Sequence, residues 1–317
     1  MTALSPIRAI RTARGARPRK PYSAIPSESP GSPPWRALKS LLLLVCVLLV
    51  VLPFTAIVST SIADSQQVTE AGGFVLWPHS PTFDSYTALL SGGLVSKAMT
   101  VSVGITAAGT AISLVSSVML AYGLSRPGSF GHKPVLMLLL MSMLFVPGVI
   151  PTYLMVKQLG LINSYWSLIL PTMINAFNVI VLRSFFVSIP AELIDAARID
   201  GASEWAILTR IVLPLSKASV GVIGLFYAVT YWNAFFNALL FINDASKWPM
   251  QLVLRTYVVN NASLSGGQID VAAGAPVPPA QSLQAAILVL SIVPIVLVYP
   301  LVQRHMNKGV MVGAVKG

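Results

Sequence analysis

The sequence has little charge, a single cysteine and no nucleotide-binding motif. Charged residues make up 10% of its 317 residues, whereas a soluble domain usually carries about 25%. Cys46 is the single cysteine. The chain therefore cannot form an intramolecular disulfide, or a zinc or redox motif that needs several cysteines. Neither a G-x-x-x-x-G-K-[ST] loop nor a G-x-G-x-x-G fingerprint occurs, so we expect no nucleotide site. The three histidines are scattered, and we expect no metal site and no cofactor: His79, His132 and His305.

Apolar residues are abundant instead. They make up 55% of the chain and bring its mean hydropathy to +0.76. A helix needs about 20 apolar residues to cross a bilayer core of roughly 30 Å. Lipid cannot satisfy the backbone groups of an open strand, so each span is predicted to be helical. The sequence therefore predicts an all-α, polytopic membrane protein with six transmembrane helices, at about Leu41–Ile62, Ala98–Leu124, Pro134–Val156, Ser164–Leu182, Ala218–Ile242 and Leu283–Gln303.

Lysine and arginine are distributed unevenly between the connections of these spans. With the N-terminus inside, the inner segments hold 17 of the 21 basic residues, and the outer segments hold only Lys97, Lys157, Lys247 and Arg255. Basic residues accumulate on the cytoplasmic side of a membrane. We therefore expect a multi-pass protein of the bacterial inner membrane with both termini in the cytoplasm. Because this topology accounts for the net charge of +11, we expect no nucleic-acid partner.

Residues 1–37 are predicted to be a disordered, basic cytoplasmic tail. They contain seven prolines together with arginines and serines, and too little apolar content to bury a core. A cleaved signal peptide with Leu41–Leu52 as its apolar region is the alternative. The long basic lead and the absence of a small-residue cleavage pattern favour the tail, next to anionic membrane lipid. Residues 38–317 are predicted to form one transmembrane domain, with its core at 96–303 and a cytoplasmic C-terminal tail at 304–317.

A charged, helix-forming segment separates the fourth and fifth predicted spans. Its first helix begins beside Pro190 and carries Glu192 and Asp195 in its early turns, where negative charge is favourable. Gly201 suits a sharp turn, because glycine readily adopts positive φ. A second helix follows at about Ser203–Leu213. The sequence predicts a helix, a glycine turn and a second helix on the cytoplasmic side.

Two other interpretations of this segment are a solvated connector and a DNA-binding helix-turn-helix, which shares the turn geometry. A connector without a partner has little use for the paired Ala196 and Ala197 or for an apolar second helix. A DNA-reading helix needs several basic side chains, and only Arg210 is available there. Docking onto a partner protein is therefore the favoured role.

The segment at 190–215 resembles the EAA motif of ATP-binding-cassette (ABC) importer permeases, E-A-A-x3-G-x9-I-x-L-P. The spacing matches at every position. The one departure is an aspartate in place of the glutamate, which keeps the charge. The matching residues are Asp195, Ala196, Ala197, Gly201, Ile211, Leu213 and Pro214.

Other stretches are similar to the carbohydrate-uptake subgroup of these permeases. Residues 121–126 and 178–193 resemble that subgroup, and residues 308–317 resemble the C-termini of maltose-type inner permeases. With Val277-Pro278-Pro279 and Tyr299-Pro300, the chain looks closest to the branch that serves complex or acidic oligosaccharides. The resemblance covers about Leu38–Gly317.

This resemblance implies a type I ABC importer permease fold with a cytoplasmic coupling segment, in a transport subunit that is not an enzyme. Such a subunit forms half of a translocation pore for an oligosaccharide, usually with a different sister permease. An external solute-binding protein delivers the sugar, and two cytoplasmic ATP-binding subunits hydrolyse ATP. The resemblance assigns ATPase coupling to Glu192 and the seven matched residues, and an ATPase interface to Gly313, Ala314, Val315, Lys316 and Gly317.

Polar and aromatic residues inside the fourth and fifth spans are candidates for the sugar path. Oligosaccharide sites combine aromatic surfaces with a few placed polar groups. Polar residues within a span usually face other helices or a water-filled path. Hydrogen bonding between helices is the alternative role. The candidates are Asn175, Asn178, Tyr227, Tyr231, Trp232, Asn233 and Asn237.

Two other transport functions fit parts of the pattern. An ABC permease for a non-sugar solute can carry a similar coupling motif. An ion-coupled secondary transporter is expected to carry an acidic or histidine relay within its spans. None of the ten acidic residues lies in a predicted span, which disfavours the secondary transporter.

Overall fold

The computed structural model describes residues 33–91, 93–126, 128–259 and 277–313. In this part of the chain the regular structure is helical, apart from an isolated antiparallel bridge between Ala63 and Pro81. The predicted all-α class is confirmed. The chain divides into two compact units, Met1–Pro53 and Phe54–Gly317.

Helix α1, Pro33–Ile62, carries the first predicted span. It begins at two consecutive prolines, which the first turn of a helix tolerates because an N–H there has no intrahelical partner. The helix includes the last five residues of the predicted tail; residues 1–32 lie outside the described part of the chain. The side chains between Leu41 and Leu52 are exposed, including the thiol of Cys46. A run of exposed leucines and valines is typical of a helix that faces lipid.

Two short helices lie between the first and second spans. A small cluster of buried Ala63, Val68 and Val75 holds the chain after α1. The second predicted span is one continuous helix, long and apolar enough to cross a membrane. The bounds are α2 Ser65–Glu70, α3 Asp84–Leu90 and α4 Leu94–Ser125.

The third and fourth predicted spans are interrupted helices. The third is divided in two at Pro147, and the fourth bends by 52° after Pro171. Proline has no N–H and collides with the preceding turn, so each break lies close to one. The bounds are α5 His132–Leu144, α6 Val149–Gln158, α7 Trp166–Ile169 with a 3-10 turn at Leu170–Thr172, and α8 Ala176–Val187.

A two-helix hairpin follows α8 and leads directly into the fifth span. Its second helix runs over Glu204–Leu215 and meets the next helix at a bend of 85°. The fifth span is itself interrupted at Asn233-Ala234. The bounds are α9 Ala191–Ile199, α10 Glu204–Ile207, a π-helical turn at Leu208–Val212, α11 Leu213–Leu215, α12 Lys217–Trp232 and α13 Phe235–Phe241.

The last described elements are a short apolar helix and a long one. Helix α14, Met250–Leu254, continues into a π-helical turn at Arg255–Val259. Helix α15, Ala280–Gly313, contains the sixth predicted span. Among the described residues, three helices are long and apolar enough to cross a membrane, and two bent helix pairs pass the same test together. The predicted spans therefore lie on helices, but only the first, second and sixth are continuous.

Two hydroxyl pairs, and a glycine that lies close to an aromatic ring, join α4 to α12 in the main core. The Ser117 and Tyr227 hydroxyls lie 2.7 Å apart, and so do those of Ser113 and Tyr231. A Cβ atom on Gly109 would lie 2.9 Å from the Tyr231 ring. Glycine therefore lets α4 lie against that aromatic ring.

Candidate functional site

The first helix of the hairpin exposes most of the residues that match the motif. Ile194 is buried and anchors α9 to the transmembrane helices. Glu192, Asp195 and Ala196 are exposed, and Ala197 is half-buried. One face of α9 is therefore held in place while the other, with low alanine side chains, is open to a partner.

A left-handed glycine makes the turn between the two helices. Gly201 has φ +77°, a region that most residues avoid. Of the described residues, none has an atom within 4 Å of the place where a Cβ would lie, so the requirement is conformational and not steric. Ser203 then caps the second helix, because its hydroxyl accepts a hydrogen bond from the Ala206 N–H at 3.3 Å. The predicted helix–glycine–helix arrangement is present.

The second helix is anchored along one side. Ile207, Leu208 and Val212 are buried, which holds the helix against the membrane domain. Trp205 at its start is 64% exposed, and Ile199 at the end of α9 is 86% exposed. Large exposed apolar side chains at a polar turn mark a contact surface. The rest of the motif follows in this helix, with Ile211 and Leu213 half-buried and Pro214 exposed.

An ionic network fastens the hairpin to the end of α4. The Tyr122 hydroxyl donates to Glu204 Oε2 at 2.5 Å and lies 3.2 Å from the Glu204 carbonyl oxygen. Arg198 donates to Glu204 Oε1 through Nη2 at 2.8 Å and through Nε at 3.1 Å. Arg198 also lies 3.8 Å from Asp195, the acidic residue of the motif. The carboxylate of Glu204 therefore connects both hairpin helices to a transmembrane helix.

Basic side chains surround this network. The Arg126 guanidinium lies over the Tyr122 ring, with its central carbon 4.4 Å from the ring centroid. Hydrogen bonds from Tyr122 and Arg198 hold the pKa of Glu204 below its ordinary value of 4.5. The same contact with Glu204 raises the pKa of Arg198. Both groups therefore stay charged at neutral pH.

Three of the aromatic candidates for the sugar path bond to other helices. The Tyr227 hydroxyl, paired with Ser117, also accepts from the Asn175 N–H at 3.0 Å. The Tyr231 hydroxyl lies 3.3 Å from the Ile169 carbonyl oxygen, and Trp232 Nε1 donates to the Ser291 carbonyl at 2.9 Å. All three side chains are buried. In this structure they make hydrogen bonds between helices, and their place in a sugar path stays a prediction.

The four asparagine candidates divide into two pairs. Asn175 caps α8, because its Oδ1 accepts from the Asn178 N–H at 3.1 Å. Asn178 is buried beside it. Asn233 and Asn237 line a cavity of about 180 Å³ at the interruption of the fifth span, called the polar cavity after these two amides although its lining surface is mostly apolar. This polar cavity is also lined by Thr172, Thr230, Tyr231, Ala234, Phe235 and Phe236.

A larger cavity of about 480 Å³ lies between α12 and α15, with Thr106 of α4 in its lining. Its other lining residues are almost all apolar, among them Phe226, Pro294 and Val298. A carbohydrate site needs a few placed polar groups, and the polar cavity offers more of them than this larger cavity does.

Some features of the site were missed from the sequence. Glu204 was not singled out, although it lies six residues after Arg198. Ser113 and Ser117 were also missed, and their spacing of four matches that of Tyr227 and Tyr231 on the facing helix. That repeated spacing was the available signal. In the C-terminal tail, Gly313 ends α15, and Ala314, Val315, Lys316 and Gly317 lie outside the described residues.

Metal binding has no candidate in the described part of the chain. No group of three or more histidine, cysteine, aspartate or glutamate side chains there has the geometry to hold a metal ion.

Residues 113–312 match the family of binding-protein-dependent transport system inner membrane components. The chain is 44% identical over 275 residues to the polygalacturonan/rhamnogalacturonan transport system permease protein YtcP of Bacillus subtilis, covering 87% of this chain and 96% of that one. It is 43% identical to protein LplC of the same organism, covering 84% and 90%. It is 26% identical to the arabinooligosaccharides transport system permease protein AraQ of Bacillus subtilis, covering 91% and 99%.

Solved structures show the same fold. A chain in the crystal structure of a bacterial ABC transporter involved in the import of the acidic polysaccharide alginate superposes with a TM-score of 0.77. The two are 29% identical, and the match covers 88% of this chain and 99% of that one. A chain of the alginate transporter in complex with its pentasaccharide-bound periplasmic protein superposes with a TM-score of 0.52 at 15% identity, which shows the fold alone.

Proposed function

This chain belongs to the family of binding-protein-dependent transport system inner membrane components, and we propose that it forms half of a translocation pore for an acidic oligosaccharide. It is an integral inner-membrane permease of an ABC importer that works with an external solute-binding protein. It is a transport subunit and not an enzyme. Family membership sets aside the ion-coupled secondary transporter that was considered from the sequence.

The chemistry named for its relatives carries the substrate assignment. The relative that is 44% identical over most of both chains is named for polygalacturonan and rhamnogalacturonan. The structural neighbour at 29% identity belongs to a transporter of the acidic polysaccharide alginate. Galacturonan and alginate are both polymers of uronic acids, so a uronate-containing oligosaccharide is the substrate class that the two share. The polar cavity supports only the sugar part of this assignment, through its Asn233 and Asn237 amides. Its hydroxyls, on Thr172, Thr230 and Tyr231, already bond within the protein.

The hairpin is the proposed contact with a separate ATPase. Its motif residues Asp195 and Ala196 are exposed, and the apolar side chains of Ile199 and Trp205 lie beside the turn. Because the second helix runs directly into α12, a movement of the docked hairpin is transmitted to a transmembrane helix. A sister permease and two ATP-binding subunits complete the proposed assembly. The proposed topology places both termini and the hairpin in the cytoplasm, with Gly313–Gly317 at the ATPase interface.

Uptake by the complete transporter tests the substrate class. The permease is reconstituted in liposomes with its sister permease, ATPase and solute-binding protein, and trigalacturonate and maltotriose are supplied in turn. We expect ATP-dependent uptake of trigalacturonate, and at least tenfold less uptake of the neutral trisaccharide. If the transporter imports maltotriose but not trigalacturonate, the chain is a sugar permease that does not select acidic sugars. Uptake of neither sugar would favour a non-sugar solute.

A further inference from the structure

Arg255 follows a helix that is packed into the bundle. In this helix, α14, Met250 and Val253 are buried. The Met250 N–H donates to Ser102 Oγ of α4 at 2.7 Å. Arg255 begins the π-helical turn that follows, and its side chain is exposed. An apolar helix inserted between transmembrane helices therefore presents one cationic side chain.

The guanidinium of Arg255 stacks on a ring that forms the wall of the polar cavity. Its central carbon lies 5.0 Å from the centroid of Phe235. Phe235 lines the polar cavity together with Asn233 and Asn237, and it lies within the fifth predicted span, Ala218–Ile242. The exposed guanidinium is thus held beside a ring that also lines the polar cavity.

Stacking leaves the guanidinium able to bind an anion. A cation over an aromatic face is held by the ring, while its N–H groups point outward in the guanidinium plane. Those N–H groups match the two oxygens of a carboxylate. Within the described residues, both ion pairs involve Arg198, and no carboxylate lies within ion-pair distance of Arg255.

Lys247, another basic residue of the predicted outer segments, connects two loops. Lys247 donates through Nζ to the Asn163 carbonyl at 3.0 Å, and Asn163 Oδ1 accepts from the Asp244 N–H at 3.1 Å. Lys247 thereby joins two connecting loops. Arg255 differs from Lys247 because, within the described part of the chain, it contacts the face of a ring in the cavity wall.

We propose that Arg255 is a specificity-determining residue that binds the carboxylate of a uronate unit at the polar cavity. Asn233 and Asn237, which line the same cavity as Phe235, are the proposed partners for neighbouring sugar hydroxyls. This inference rests on the proposed function, because it requires an acidic oligosaccharide as the substrate.

The test compares charge-removing and charge-keeping variants of the complete transporter. Trigalacturonate uptake is measured in liposomes with Arg255→Gln, Arg255→Lys and, as a control, Lys157→Gln, an exposed cation of the predicted outer segments that does not contact Phe235. Assembly of the complex and its ATP hydrolysis without substrate are measured beside uptake. We expect Arg255→Gln to lower the kcat/KM for trigalacturonate about tenfold or more. Arg255→Lys should recover part of this loss, because it keeps the charge but not the fork of donors.

Three results of this test would overturn the role of Arg255, and the third of them would also overturn the proposed function. Wild-type uptake of trigalacturonate by Arg255→Gln would overturn the role of Arg255 and leave the proposed function intact. A loss of uptake that comes with a loss of subunit assembly would also overturn it, and would assign Arg255 to the permease interface. Failure of the wild-type transporter to import trigalacturonate would overturn the proposed function and this inference together.

Discussion

The carboxylate of Glu204 bonds directly to two side chains, and a third side chain lies next to one of them. Tyr122 comes from the end of α4, Arg198 from α9, and Asp195 of the coupling motif lies beside Arg198. Exposed ion pairs alone contribute little to stability. The hydroxyl of the largely buried Tyr122 adds a charge-assisted hydrogen bond, so the contact that spans two elements is the stronger part of the network.

Removing the Tyr122 hydroxyl should loosen the hairpin without unpacking α4. Tyr122→Phe keeps the ring under Arg126 and removes a hydrogen bond to a charged group, which contributes about 1.5–3 kcal/mol. We expect the complete transporter to keep hydrolysing ATP while the amount of substrate imported per ATP falls several-fold. The measurement is the ratio of uptake to ATP hydrolysis in proteoliposomes.

Tyr86→Phe is the matched control for this variant. It also removes a hydrogen-bonded hydroxyl, which lies 2.7 Å from Ser61 Oγ, but that contact is remote from the hairpin and from the polar cavity. It should lower thermal stability while leaving the uptake-to-ATP ratio unchanged. Equal ratios in both variants and the wild type would remove Tyr122 from coupling.

The pH dependence of the network follows from the lowered pKa of Glu204. A carboxyl group whose folded pKa is depressed contributes stability above its ordinary pKa, and loses it as the pH falls through the lowered value. The ordinary value is 4.5. The uptake-to-ATP ratio should therefore not change through this group between pH 5.5 and pH 7.5.

For single residues, the sequence predicted which polar side chains matter in the spans, but it did not predict the residues to which they bond. The tyrosines of the fifth span stood out as polar aromatics in an apolar helix, but Tyr227 bonds to Ser117, 110 positions away. Serine is common in membrane helices, and nothing local to Ser117 marks it as the partner. That pairing exists because α4 and α12 lie side by side.

The hairpin at 190–215 is the element whose structure was most fully predicted. Proline and acidic residues mark the start of its first helix, and a glycine marks its turn. These are local preferences, which depend on neighbours within a few residues. The 85° bend between the hairpin and α12 was not predicted. A bend is set by packing on both sides, and Ile207 and Val212 are buried against distant helices.

Replacing Gly201 tests whether the turn geometry is needed for coupling. Proline cannot adopt φ +77°, because its ring holds φ near −65°. We expect Gly201→Pro to abolish uptake and to uncouple ATP hydrolysis in the assembled complex, while membrane insertion stays normal. Uptake, ATP hydrolysis and the amount of protein in the membrane are measured together.

Gly201→Asn is the matched variant. Asparagine tolerates the left-handed region at a modest cost, and the site has room for a Cβ. It should retain most of the uptake. Wild-type uptake by Gly201→Pro would contradict a coupling role for this turn.

The spans themselves were predictable as elements, but the interruption of the fifth was not. A window of about 20 apolar residues marks a span whether or not its helix is continuous. Pro147 and Pro171 indicated where the third and fourth helices bend, whereas the break at Asn233-Ala234 has no proline. The polar cavity lies at that break, so the prediction of a continuous fifth span missed the feature that forms the cavity.

For the whole molecule, the distribution of basic residues gives a topology that can be tested with a single thiol. Cys46→Ala removes the one cysteine. A new cysteine is then placed at Phe130, in the loop between α4 and α5, or at Ala245, between α13 and α14; both positions are exposed.

In intact spheroplasts, a membrane-impermeant maleimide should label the Ala245→Cys variant and not the Phe130→Cys variant. Both should be labelled after permeabilisation. The reverse pattern would invert the proposed topology and place the hairpin outside the cell.

The sequence by itself determined the helical class, the approximate position of the spans and the coupling hairpin. Each depends on composition or on residues close together in the chain, because hydropathy and turn geometry are local properties. The tertiary structure alone decided that Tyr231 closes against Gly109, that Tyr122 holds Glu204, and that Arg255 stacks on Phe235 at the polar cavity. These contacts join residues 20 to 122 positions apart, and they form only when the helices pack together.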